Sequence, residues 1–201
     1  MNQQLYEQKR EEKTKERLSE NSPVRGGWKK KIIFIFAGIF ILVGIGWLVM
    51  SLAVKGPDYS KTYPDQGRDH IADGASHDPY NSNPPTSGPH YVEWAMDRFY
   101  ERAIPDEHLV HNLEHGDIWI SYKPSISDDV KKRLKKIAGS KVVVTPREAN
   151  TEDIALMAWT HLDSFNIENG TLDTVRIKDF IKRYKNRGPE RVMTSGGGKE
   201  F

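Results

Sequence analysis

The sequence predicts an α+β protein: one N-terminal transmembrane helix, then a small extracytoplasmic domain with two or three helices packed on a mainly mixed or antiparallel sheet. Three observations carry this. Residues 32–54 are 23 consecutive uncharged, mostly apolar residues, long enough to cross a bilayer as one tilted helix. Apolar residues recur at helical spacing near residues 130 and 180, and alternate or cluster like strands at 118–122, 142–144 and 154–162. The order strand, helix, strand, strand, helix suits helices laid against a sheet.

Residues 1–31 form a charged segment expected in the cytoplasm, with nine Lys or Arg against five Glu, a net +4. Residues 4–20 are good helix formers without an apolar stripe, which describes a solvated helix; Asn21 to Gly27 breaks it. Lys29, Lys30 and Lys31 abut the apolar run, whereas Lys55 stands alone beyond it. The positive-inside rule then places the N-terminus in the cytoplasm and the C-terminal domain outside, a single-pass protein of the cell membrane. Trp47 suits an interfacial anchor. A cleaved signal peptide fits less well, because the run is too long, its leader too extended, and no clean cleavage site follows.

Residues 55–68 read as a linker with two Pro and two Gly. The extracytoplasmic domain is expected over 69–190, at −2 for residues 55–201, and 191–201 as a disordered tail. Net charge is only +2, which gives no reason to expect nucleic acid. There is no cysteine, so disulfides, thiol nucleophiles and thiolate metal sites are excluded. Three prolines and a glycine in Asn83–His90 forbid helix and central strand, leaving a stiff loop that can hold a side chain in one place. Ile118, Ile120 and Tyr122 alternate in a strand that ends at Pro124. Ser127 suits a helix N-cap, with Val130, Leu134 and Ile137 inward and Gly139 closing; its lysines form a solvated face. Val142–Val144 is a short buried strand and Ile154–Leu162 a central one. Asp173–Lys185 is a helix with Ile177, Phe180, Ile181 and Tyr184 inward.

The densest chemistry lies in Pro105–Gly116, P-D-E-H-L-V-H-N-L-E-H-G. Proline at the start and glycine just past the end mark a short helix, and Asp106 and Glu107 suit its positive end. His108, His111 and His115 then share one face, with Leu109 and Leu113 on a narrower apolar one. Imidazoles on one buried face require a metal, a carboxylate or water.

The loop P-P-T-S-G-P-H (84–90), the run V-H-N-L-E-H-G (110–116) and the strand D-I-W-I-S-Y-K-P that follows resemble a prokaryotic family known as domain of unknown function 3105. The resemblance spans about residues 69–190, including A-W-T (158–160) and G-P-E (188–190). It implies a membrane-anchored domain outside the cytoplasm and supplies no activity. His70, Gly88, His90, His111, Leu113, Glu114, His115 and Gly116 match its pattern, while His77, His108 and His161 do not carry over. Many members have an Asn-Cys-Gly-like step where this chain has Met96-Asp97-Arg98, so any thiol ligand there is absent here.

Three kinds of chemistry fit these residues. A metal site would use His90, His111 and His115, with His70 or Glu114. Histidines at i and i+4 reach one ion while a separate segment brings the third ligand, and zinc or copper is the expected ion. Met96 or Met157 would supply a soft ligand for Cu(I), although methionine ordinarily fills cores. H-x-x-E-H (111–115) also fits an inverted zincin hydrolase with Glu114 as base, and Ser87 beside His90 offers a weaker nucleophile–base pair. Otherwise the histidines form a structural network in a module that binds a protein or cell-envelope partner. Trp94, Phe99, Tyr100 and Trp119 would be its aromatic surface, and residues 32–54 its contact with lipid.

Overall fold

The structure, a computed structural model, describes residues 3–20, 26–52, 56–190 and 197–201, with the side chains of 26–30 and 46–52 left out. It divides into two compact units, Met1–Val54 and Lys55–Phe201.

In the first unit, α1 (Gln3–Glu20) buries no residue, as expected of a sequence without an apolar stripe. The break expected at Asn21–Gly27 falls on 21–25, outside the described residues, and Gly26 and Gly27 open α2 (Gly26–Leu52). No helix among the described residues is long and apolar enough to cross a membrane. The structure therefore does not establish the span expected over 32–54, for which described side chains end at Ile45. The side chain of Trp47, and residues 53–55, lie outside the described residues.

The second unit is an α+β domain on a mixed five-stranded sheet. Its strands are β1 (Lys61–Thr62), β4 (Ile118–Tyr122), β5 (Val142–Pro146), β6 (Ile154–Ala158) and β7 (His161–Phe165), in the order β1-β7-β6-β4-β5. Within this sheet β4 and β5 pair in parallel and the other neighbours antiparallel, because α4 (Asp128–Lys135) carries the chain back between β4 and β5. Ser127 caps α4 by accepting from Val130 N. Two corrections concern strands. Ile154–Leu162 is not one strand but the start of a hairpin: Thr160 takes φ 62° and the chain reverses into β7. Nothing in Trp159-Thr160 resembles the Asn-Gly signal of such turns. Residues 61–62, within the expected linker, pair as an edge strand with Leu162 and His161.

Alternation divides the sheet into two faces. Ile118, Ile120, Val142, Val144, Ile154 and Leu156 pack with Val130 and Leu134 of α4 and Ile177 and Phe180 of α5 (Thr174–Tyr184). Trp119, Val143, Ala155 and Met157 pack with Leu109, Val110 and Leu113 of α3 (Asp106–Glu114). A small parallel pair, β2 (His70–Ile71) with β3 (His90–Tyr91), lies against α3. The tail expectation falls on 191–196, outside the described residues. The described end is held in place: Lys199 N donates to Trp94 O and Met96 N to Lys199 O.

Candidate metal centre

α3 is held at both ends before any histidine is considered. Arg147 binds both carboxylate oxygens of Asp106 in the first turn, at 2.7–3.1 Å. Asn112 exchanges hydrogen bonds with the backbone of Ala95 and donates to Asp117. At the far end Gly116 has φ +78° and packs on Gly188, where an added Cβ would stand 2.1 Å from Glu114 O. That contact admits the chain after α5: Asn186 N donates to Gly116 O and Glu190 N to Glu114 O.

The stiff loop and the parallel pair then deliver two more histidines. His70 and His90 are register partners on β2 and β3. One ligand atom from each of His70, His90, His111 and Glu114 lies within 4.8 Å of the others. Glu114 Oε2 is 3.0 Å from His90 Nε2 and 3.5 Å from His70 Nε2. A tetrahedral ion with bonds of ~2.0–2.1 Å separates its ligand atoms by about 3.3 Å, a spacing these two distances bracket. His90 and Glu114 are buried, and His70 is half-exposed.

Backbone carbonyls decide which nitrogens face inward. A carbonyl only accepts, so His90 Nδ1–H donates to Gly88 O at 2.8 Å and His111 Nδ1–H to Tyr91 O at 2.7 Å. In the neutral rings both Nε2 lone pairs then point at the cluster, the orientation that outer-shell carbonyls give to metal-ligating histidines. Burial, chiefly, lowers the pKa of His111 to about 4, aided by the neighbouring histidines against its bond to Tyr91 O. Its Nε2 is therefore a lone pair at neutral pH. Burial likewise lowers the pKa of His115.

His115, expected as a principal ligand, is not one of the four. Its Nε2 lies 3.1 Å from His111 Nε2 and 3.7 Å from Glu190, with Trp94 edge-on at 4.8 Å. His108 does not join the ridge: it turns to Glu93 O, Tyr91 and Phe201. His77 bonds Asp78 O and Glu107, and His161 bonds Trp159 O and packs against the Tyr184 ring at a tilt. Met157 is core on the α3 face and Met96 is exposed. Ser87 and His90 form no nucleophile–base pair, since Ser87 Oγ accepts from Gln66 N while His90 is committed to Gly88 O and Glu114. Of the aromatic set, Tyr100 and Trp119 are buried, Phe99 stacks on Tyr122, and Trp94 borders His111 and His115. Sequence reasoning missed Arg68, whose Nε is 3.8 Å from Glu114 Oε1. It also missed Glu190, for which the G-P-E step after a helix was the available signal.

No curated protein and no solved structure matches this chain. A family model does match, over residues 70–197, more than half of the chain and including every member of the cluster. The chain belongs to the family described as "Protein of unknown function (DUF3105)".

Proposed function

We propose that the domain binds one divalent transition-metal ion, zinc or copper, through His70, His90, His111 and Glu114. One observation carries this reading. The Nδ1–H of His90 is spent on Gly88 O, yet its Nε2 lies 3.0 Å from a buried carboxylate oxygen. Two lone pairs do not face each other at that distance without a positive charge between them. A metal ion supplies that charge and uses the lone pairs of His70 and His111 as well. Three imidazoles and a carboxylate, without thiolate, suit Zn(II) or Cu(II). Glu114 then acts as a ligand, not as the free base that an H-x-x-E-H hydrolase requires.

We also propose that the domain is displayed outside the cytoplasm on a membrane anchor. The uncharged run 32–54 and its lysine collar support this. So does the exposure of Ile33, Phe34, Phe36, Phe40 and Leu42 along α2, since a helix apolar all round needs apolar surroundings.

The test is metal content, by mass spectrometry, of the full chain purified with zinc or copper supplied. One tightly held ion per chain is expected, and the tight binding is lost in His90→Ala and Glu114→Gln. A metal-free wild type, with variants that are only less stable, leaves His90 and Glu114 as an imidazolium–carboxylate pair in a structural network. Protease accessibility of the domain in intact cells tests the orientation; protection would overturn it.

A further inference from the structure

Beside the four ligands stands a second group that shares one of them. His111 Nε2 and His115 Nε2 are 3.1 Å apart, near the ~3.3 Å of two nitrogens on one tetrahedral ion. A Glu190 carboxylate oxygen lies 3.7 Å from the same His115 nitrogen, on a side chain 51% exposed. Because His111 Nδ1–H is committed to Tyr91 O, its single remaining lone pair serves one ion at a time. Two ions cannot both hold His111, so the two complete ligand sets are alternatives.

Resting on the four-ligand reading above, we infer that His111, His115 and Glu190 form an outer docking position for the incoming metal ion. The ion then exchanges His115 and Glu190 for His70, His90 and Glu114 while His111 stays bound. Exposure steps inward along this route, from half-exposed Glu190 to His115 at 8% to buried His111. The opposite mouth, at His70, carries the Arg68 guanidinium beside Glu114. A cation meets the unburied Arg68 charge there; at the Glu190 end it meets a carboxylate, the Lys141 ammonium under His115 being paired with Asp117, which favours the Glu190 end for approach. The backbone couples the two positions: Glu190 N donates to Glu114 O, and the Gly116–Gly188 contact allows that approach. Trp94 packs against both His111, at 5.2 Å, and His115, at 4.8 Å, so its fluorescence reports arrival.

The experiment follows zinc uptake by the full chain in detergent micelles, by stopped-flow tryptophan fluorescence, together with zinc stoichiometry at equilibrium. Glu190→Gln and His115→Gln are expected to bind one zinc, as wild type does, but about tenfold more slowly. Folded His70→Ala/His90→Ala protein, checked by circular dichroism, is expected to keep one weakly held zinc that adding His115→Ala removes. Uptake at the wild-type rate in both single variants overturns the inference. So does a wild type with two zinc ions, or a folded double variant with none. A wild type that binds neither zinc nor, in the same assay, copper overturns the four-ligand reading too, whereas one bound ion with unchanged rates overturns only the docking position.

Discussion

The two faces of the central sheet are covered by helices that solve burial in opposite ways. α4 and α5 each bury a stripe, Val130 and Leu134 or Ile177 and Phe180, and turn lysines to solvent. In α3 every residue from His108 to Glu114 is buried, polar ones included. The first arrangement needs only apolar periodicity. The second requires a partner for each buried polar group, since one left unmet costs about 1–3 kcal/mol. Most of those partners come from segments distant in sequence, Glu93 O, Tyr91 O and the Ala95 backbone, with Asp117 supplied just past the helix end. A half-buried helix holds the sheet; a wholly buried one can hold titratable groups in fixed directions.

The comparison is sharpest in the core. Leu156→Ala, under α4 and α5, and Leu113→Ala, on α3, should each cost about 2–5 kcal/mol, read by chemical denaturation. Only Leu113→Ala should also weaken zinc binding in the protein that remains folded; equal weakening by both would erase the distinction between the faces. Gly188→Ala comes next. Its Cβ would meet Glu114 O at 2.1 Å, so the Asn186–Glu190 segment must withdraw, at about 1–3 kcal/mol and with slowed zinc uptake. Unchanged stability would show that this contact does not hold the end of α3.

A smaller effect depends on pH. Burial first, and the Asp117 carboxylate second, raise the Asp97 pKa from 3.8 to about 6. The folded state therefore holds a proton that the unfolded state releases. The associated stability is complete below 3.8 and is lost as pH rises through about 6. Asp97→Asn, whose amide oxygen can still accept from Lys141 N, should thus be the more stable form at pH 7, with the gap closing towards pH 4. A melting-temperature series that shows no closing gap would refute this. Smallest of all, Lys132→Ala on the solvated side of α4 should change stability by no more than about 0.5 kcal/mol. A larger loss would mean that this face is not merely solvated.

Much of the fold was legible in the residues themselves. Ser127 caps its helix as a side-chain acceptor, and the apolar spacings of 130–134 and 177–180 fall on the core. The hairpin at Trp159-Thr160 was not legible, because a φ of 62° at threonine is imposed by its surroundings. In the site, His70, His90, His111 and Glu114 were all candidates, but their grouping depended on the β2–β3 register, which two-residue strands do not announce. Helical spacing put His108 on the ridge, and it is instead drawn away by Glu93 O.

By itself, then, the sequence determined which side chains were available for chemistry, which stretches form helices, and that no thiolate takes part. Those are properties of local periodicity, capping and composition. Only the tertiary structure decided that His70 stands with Glu114 while His115 faces Glu190. A ligand set is a distance between segments that the chain separates, and it is fixed by strand register, two opposed glycines and the carbonyls that orient each ring.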